Sequence, residues 1–315
     1  MYVARECDVV IIGGGPAGLA AGLYAARARR CAVLLEKGVI GGQIALTSAI
    51  ENYPGFPESV NGFDLAGAML QQGQRSGLLA VYVAALAVER AGERFLVKTT
   101  AGDYLAKAVI VSGGAAYQKL GVPGEERLTG RGVSYCATCD GAFYRRQAVA
   151  VVGGGDAAID EALFLCRYAA NVHIIHRRDR LRATMVLQER ALAEPKIDFL
   201  WNAVVTEILG DDVVNAIRLR DLTSGEEREM AVSGVFIFIG QQPNVDYLKG
   251  LVKMDETSHV IVNEWMETDV PGLFAAGDVR RNAARQVVRS AGDGATAAIR
   301  ADQYISERFG GWTPS

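Results

Sequence analysis

Short, unbroken apolar runs rich in β-branched residues recur along the chain. They are Val9-Val10-Ile11-Ile12, Ala32-Val33-Leu34-Leu35, Val109-Ile110-Val111, Ala148-Val149-Ala150-Val151-Val152 and Val235-Phe236-Ile237-Phe238-Ile239. Runs this short without polar alternation predict strands buried on both faces, as in a parallel sheet covered by helices. Helical spacing fills the intervals: Leu19, Leu23, Tyr24 and Ala28, then Leu65 to Ser76, then Ile159 to Tyr168. Arg285 to Arg308 reads as mostly helical, with Gly292 and Gly294 near its start, and should pack on the first of these strand–helix units. Leu79 to Thr100 breaks into short strands around an Ala91-Gly92-Glu93 turn. Buried strands alternating with helices place the chain in the α/β class.

Two of the strands lead directly into glycine-rich turns. The first gives Gly13-x-Gly15-x-x-Gly18, with Pro16 and Ala17 opening a helix, a second strand at 32–35 and Glu36 at its end. Glycines in this setting admit a pyrophosphate at a helix N-terminus, and the acid accepts hydrogen bonds from ribose hydroxyls, so the unit is a dinucleotide site. The second gives Gly153-x-Gly155-x-x-Ala158, with Asp156 and Ala157 inside the turn, then the helix at 159–168 and a strand at 171–175. Glu36 follows Gly13 by 23 positions; the residue that follows Gly153 by the same 23 is His176, with Arg177 and Arg178 after it and Arg182 one turn on. An acid at this position repels a 2′-phosphate and a basic cluster favours one. The first unit therefore suits FAD or NAD and the second NADPH. The alternative for 176–182 is a solvated basic face. Near the end of the chain, Gly272 to Asp278 reads as a strand that delivers Asp278 to its carboxyl end, where open α/β sheets bind ligands. Asp278 would also serve as N-cap of the segment that follows.

With 315 residues there is room for two domains, and 36 glycines suit many tight turns. A net charge of −3 gives no reason to expect nucleic acid or an anionic membrane as partner. Val9 to Ala26 runs for 18 residues without a charge, long enough for a membrane check, but Gly13-Gly14-Gly15-Pro16 inside it marks a sharp turn. Met1 to Asp8 has no signal-peptide pattern, and a soluble, cytoplasmic protein is expected.

Five cysteines are too few and too scattered for a secreted disulfide framework; Cys7, Cys31 and Cys166 stand singly and read as buried small hydrophobes. Cys136-Ala137-Thr138-Cys139-Asp140-Gly141 is different. Two cysteines at this spacing close a redox-active disulfide with thiol pKa values tuned toward neutrality, and Asp140 is placed to donate or accept a proton. Half of a zinc site is the competing reading, but there is no second Cys pair, and His173 and His176 belong to the second nucleotide unit.

These residues resemble the low-molecular-weight, bacterial-type thioredoxin reductases over essentially the whole chain. The resemblance is carried by Gly13-x-Gly15-Pro16-Ala17-Gly18, Gly41-Gly42-Gln43, Glu51-Asn52-Tyr53-Pro54-Gly55, the Cys136–Gly141 motif, Gly153-Gly154-Gly155-Asp156, His176-Arg177-Arg178 with Arg182, Gly277-Asp278 and Arg285-Gln286. It implies two Rossmann-like domains: a discontinuous FAD domain of residues 1–116 and 245–315, and an inserted NADPH domain of residues 117–244 that carries the cysteines. FAD would be held by the first unit, by Glu36, Gly41, Gly42, Gln43 and Asn52, and by Gly277 and Asp278 with Arg285 and Gln286. NADPH would be held by Gly153, Gly155, Asp156, Ala157, Ala158, His176, Arg177, Arg178 and Arg182. Cys139 would face the flavin, Cys136 would attack the thioredoxin disulfide, Asp140 would be the acid/base group, and Arg131 would help line the thioredoxin surface. The family also implies a homodimer whose NADPH domain rotates between two arrangements. Ser112-Gly113-Gly114 departs from the family's usual Ala-Thr-Gly, and Gln118 stands where an arginine is common.

The expected function is thus an NADPH-dependent thioredoxin-disulfide reductase. The alternatives are a related flavin enzyme with another donor or acceptor (a ferredoxin-fed reductase, a dithiol oxidase or a peroxiredoxin-system reductase) and a non-enzymatic nucleotide-binding or zinc-stabilised interaction protein. Ferredoxin-fed reductases and dithiol oxidases tend to lose the basic cluster at 176–182, which this chain keeps.

Overall fold

The computed structural model describes residues 4–47, 50 and 52–310. The chain forms two compact units, one of Met1–Ala116 with Gln242–Ser315 and the other of Tyr117–Gln241.

The first unit opens with β1 (Arg5–Ile12), α1 (Pro16–Arg27), β2 (Ala32–Glu36), α2 (Gly62–Arg75), β3 (Leu79–Tyr82), β4 (Ala85–Ala91), β5 (Arg94–Thr99) and β6 (Tyr104–Val111). β3, β2, β1 and β6 lie side by side and parallel, with Val9 to Ile12 in register with Ala32 to Leu35. The far edge of β6 pairs antiparallel with β5 over its first half and parallel with a late strand, Leu273–Ala275, over its second. Both faces of this sheet are covered. Val9, Ile11, Leu34 and Ile110 pack under α1, α2 and the C-terminal helix, while Val10, Ile12, Val33 and Val109 pack on the other side with Phe95 and Val260. Successive strand residues point to opposite faces, so a continuous apolar run is what a sheet covered on both sides requires. The uncharged segment 9–26 is accordingly a buried strand, a turn and a buried helix, and among the described residues no helix is long and apolar enough to cross a membrane.

The second unit contains β7 (Ala115–Tyr117, at the crossing), β8 (Val133–Ser134), α3 (Ala137–Asp140), β9 (Ala148–Gly153), α4 (Asp156–Leu165), β10 (Asn171–Ile175), α5 (Met185–Ala193), β11 (Ile197–Leu200), β12 (Ala203–Leu209), β13 (Ala216–Asp221), β14 (Glu227–Ala231), β15 (Gly234–Phe238) and β16 (Gln241–Pro243, at the return crossing). A parallel sheet in the order β11-β10-β9-β15-β8 is covered by α4 and α5 on one face and by the antiparallel β12-β13-β14 ribbon on the other. Back in the first unit come β17 (Leu273–Ala275) and α6 (Val287–Phe309). α6 lies tight on α1: a Cβ on Gly294 would stand 1.9 Å from the Ala17 carbonyl oxygen, which only glycine permits.

Gly42–Leu46 forms a 3₁₀ turn, entered through Gly41 at φ 101°. Two local expectations need correction. α4 starts at Asp156, three residues before the apolar pattern suggests, because extended Gly155 caps it and Ala157 and Ala158 are good helix formers. Cys31 is exposed, unlike Cys7 and Cys166. It sits just ahead of β2, past the covered part of the sheet, where its N–H donates to Asp8 Oδ2 at 2.8 Å.

Candidate active site

The first glycine turn is built for close approach. Gly13 (φ 109°) passes under Ser112, whose carbonyl oxygen would stand 2.4 Å from any Cβ there. Gly15 caps α1 without a side-chain cap, and Pro16 and Ala17 form its first turn. The nearest atom to a Cβ on Gly15 is 4.0 Å away, so the N–H groups at this helix start face open space of the kind a pyrophosphate fills. Glu36 closes the turn from the end of β2, its Oε2 accepting from Gly14 N at 2.6 Å and its Oε1 from Gly38 N at 2.7 Å. Each oxygen keeps a lone pair for a ribose hydroxyl.

Several candidates from distant parts of the chain meet this cradle. Gly41 N donates to Gly14 O at 2.8 Å, and Gln43 Nε2 makes a short hydrogen bond to Ala115 O. Asn52 Nδ2 donates to Gln286 Oε1 at 3.1 Å, joining two segments 234 positions apart; Glu51 lies outside the described residues. Gly277 (φ 78°) fits against Ala17, and Asp278 follows it in a short 3₁₀ turn. Burial pushes the Asp278 carboxyl above its usual range, against the pull of Arg285 and the Ser290 hydroxyl. Asp278 is not the cap of α6, which begins nine residues later at Val287 with Gln286 at its N-cap position. Arg285 takes φ 54° as the chain turns into that helix.

The second cradle repeats the backbone with different chemistry. Gly153 (φ 151°) and extended Gly155 lead into α4, and a Cβ on Gly155 would meet nothing within 4 Å. Ala157 opens the helix, and the Ala158 methyl, fully buried, lies under Gly153. Asp156 Oδ1 accepts from Thr184 N at 2.6 Å, tying the start of α4 to the start of α5. His176 is buried beneath Gly154, 5 % exposed, and its Nε2 has no partner among the described residues. Burial lowers its pKa, and the charges of Arg182, Arg178 and Arg177 lower it further. His176 is therefore a neutral strut of the turn; the expected basic cluster is made by the arginines alone. Arg177, Arg178 and Arg182 are exposed and ion-paired with no described residue, and Arg182 N anchors its loop to Gly154 O at 2.7 Å.

Cys136 and Cys139 form a disulfide across α3. That pairing uses both sulfurs and excludes them as zinc thiolates in this state. Cys136 occupies the N-cap position, and its Sγ accepts from Cys139 N at 3.2 Å. The Thr138 hydroxyl, 3.3 Å away, also donates to this sulfur, which carries no proton in a disulfide. Asp140 Oδ2 accepts from the Ser134 hydroxyl at 2.6 Å, and Ser134 Oγ in turn accepts from Cys136 N at 3.1 Å. A redox pair, a carboxyl at its shoulder and two nucleotide cradles thus occur in one chain.

Comparison with known proteins agrees with this inventory. The pyridine nucleotide-disulphide oxidoreductase family model matches residues 7–294. The thioredoxin reductase of Bacillus subtilis is 45 % identical over 301 residues, 95 % of each chain, and that of Peptoclostridium acidaminophilum is 43 % identical over 96 % of this chain and 98 % of its own. The crystal structure of thioredoxin reductase from Streptococcus pyogenes superposes with a TM-score of 0.84 at 42 % identity, covering 97 % of this chain and all of that one. The chain belongs to the thioredoxin reductases.

Within this thioredoxin reductase fold, the structure also accounts for a departure at the end of β6. A Cβ on Gly113 would stand 2.8 Å from the Tyr247 hydroxyl and 3.0 Å from Asn244 O, so the family's usual threonine has no room here. Ser112 uses its hydroxyl on the carbonyls of Ile12 and Gly13, each at 3.0 Å.

Sequence reasoning missed three carboxylates that organise the site. Asp293, 3 % exposed on α6, takes two hydrogen bonds from Arg280 at 2.6 and 3.0 Å, one from Arg289 at 2.9 Å and one from Gly277 N at 3.2 Å, fixing the turn that carries Asp278. Glu125, 2 % exposed, accepts from the N–H groups of Leu120 and Gly121 and from the Tyr135 hydroxyl, just ahead of the cysteines. Glu161, on α4, accepts from Ala137 N between the two cysteines at 3.0 Å. The only signal for Asp293 was an acid on an otherwise small-residue face (Ser290, Gly294, Ala297, Ala301); nothing in the sequence singled out the other two.

Proposed function

We propose that this chain is an NADPH-dependent thioredoxin-disulfide reductase in which the first unit holds FAD and the second holds NADPH. The Cys136–Cys139 disulfide carries the reading, because a disulfide next to a carboxyl and in a chain with two dinucleotide cradles serves no simpler purpose. Bound FAD supplies the two-electron relay between nicotinamide and disulfide. The Gly13–Gly15 turn and the α1 start bind its pyrophosphate, Glu36 binds ribose hydroxyls, and Gly41, Gly42, Gln43, Asn52, Asp278, Arg285 and Gln286 enclose the remainder. The Gly153–Gly155 turn and the start of α4 bind the second pyrophosphate, and Arg177, Arg178 and Arg182 read the 2′-phosphate with charge-assisted hydrogen bonds.

Once the disulfide is reduced, Cys136 is the attacking sulfur. The Cys139 N–H and the Thr138 hydroxyl, both aimed at its Sγ, stabilise a thiolate there. Its attack on the partner's disulfide forms a mixed disulfide, and Cys139 resolves it by attacking Cys136 Sγ and releasing the partner as a dithiol. Asp140, held by Ser134, moves the proton that Cys139 gains and loses. Phe143, 69 % exposed just beyond the cysteines, and exposed Arg131 give the partner an apolar and a charged contact. A homodimer in the cytoplasm completes the reading.

Replacement of each cysteine tests it. Cys136→Ser and Cys139→Ser proteins should both oxidise NADPH when given an artificial acceptor such as ferricyanide, and neither should reduce thioredoxin. Of the two, only Cys136→Ser should show a long-wavelength charge-transfer band. Full thioredoxin turnover by either variant would overturn the mechanism.

A further inference from the structure

The segment between the two cysteines is held from a separate element. Ala137, wholly buried, donates its N–H to the Glu161 carboxyl at 3.0 Å. Glu161 lies in an open groove of about 620 Å³ bounded by Thr138, Asp160, Phe164, Arg167, Arg190 and Glu194. It forms no ion pair with any described residue, and the nearby Arg167 guanidinium instead lies over the Phe164 ring at 5.2 Å. A carboxyl that takes the N–H of the residue between the two cysteines, and has no cation of its own, puts its charge where the sulfurs feel it.

We propose that Glu161 is the positioning residue of the redox turn: it fixes the backbone between the cysteines and, when ionised, opposes thiolate formation in the reduced pair. The proposal rests on the disulfide reading above. Reduction adds two electrons, supplied by the reductase's own cofactors, breaks the Sγ–Sγ bond and takes up one proton, leaving one thiol and one thiolate. A fixed negative charge close by disfavours that thiolate and so favours the disulfide. Burial raises the Glu161 carboxyl above its usual range, Asp160 adds to that rise, and the backbone of Ala137 and Thr138 opposes it. The other charged or titratable groups around it are Asp156 at the start of its own helix and Arg167 just past its end, Glu189 and Arg190 on α5 with Glu194 at its C-cap, Asp140 and the cysteines at α3, and Tyr144 beyond.

The test is the pH profile of Cys136 alkylation by iodoacetamide in the full-length Cys139→Ser protein, with and without Glu161→Gln. Glutamine keeps an acceptor for Ala137 and removes the charge. The midpoint should fall by about one pH unit, giving about tenfold more thiolate below it, while Glu161→Asp, which keeps the charge, should hold the original midpoint. In the two-cysteine protein, Glu161→Gln should shift the glutathione equilibrium about tenfold toward the dithiol. An unmoved profile in Glu161→Gln, or equal shifts in the Gln and Asp variants, would overturn the proposal and leave the disulfide mechanism intact. If Glu161→Gln does not fold, the Cys139→Ser protein carries the test alone. Its profile should need two coupled titrations, and a single-titration curve would contradict the proposal.

Discussion

The two βαβ units share a backbone and differ at one corner. In both, the middle glycine of the turn rests on the residue 23 positions beyond the first glycine. In the first unit Gly14 donates its N–H to the Glu36 carboxylate at 2.6 Å; in the second a Cβ on Gly154 would stand 2.4 Å from the His176 ring. A charged acceptor that holds the turn and still offers lone pairs outward has been exchanged for a buried neutral ring that only holds the turn. In the proposed reading, recognition then passes to the next residues, Arg177 and Arg178, which are exposed. One scaffold would thus distinguish two dinucleotides by dividing support and recognition between neighbouring side chains.

The largest effect that would sharpen the comparison lies five positions into each unit. A Cβ on Gly18 would stand 1.8 Å from the Gly13 carbonyl oxygen, whereas the equivalent residue of the second unit is already alanine, Ala158. Gly18→Ala should cost about 3 kcal/mol by overpacking, and Ala158→Gly only about 1 kcal/mol from helix propensity. Urea unfolding of the purified proteins reads both, and equal losses would mean the two turns are not differently packed.

Next in size is the 2′-phosphate. Replacing Arg177 and Arg178 with glutamine should each cost about 1.5–3 kcal/mol of NADPH binding, roughly ten- to hundredfold in KM, with NADH little changed. A parallel loss for both cofactors would make the cluster a general anion patch.

The smallest effect tests whether His176 is a neutral strut. Its folded pKa is depressed by burial, so the unfolded chain binds the proton more tightly and stability is lost as pH falls below about 6.5. The drop in urea midpoint between pH 7.5 and 5.5 should therefore be smaller in His176→Asn than in the unmodified protein. An equal drop would mean that folding leaves the proton affinity of His176 unchanged.

Much of this was legible in the sequence because it is local. Unbroken apolar runs announced β1, β2, β6, β9 and β15, and a glycine followed at a fixed offset by Glu36 or His176 announced the cradles. What stayed hidden depends on contacts between distant segments. Asp293 meets Arg280 only because α6 folds back onto the turn after β17, and Glu161 meets Ala137 only because α4 lies beside α3. His176 looked like part of a basic cluster, since charge in a sequence carries no information about burial. Cys31 looked like Cys7, although the covered part of the sheet begins only at the next residue.

The account's central claim is that two nucleotide cradles feed one disulfide, and anaerobic titration of the oxidised flavoprotein tests it most directly. A flavin and the Cys136–Cys139 disulfide together hold four electrons, so full reduction should take two equivalents of NADPH per chain, and one in the Cys136→Ser protein. NADH should reduce the same protein far more slowly. One equivalent for both proteins, or equal reduction by NADH, would contradict it.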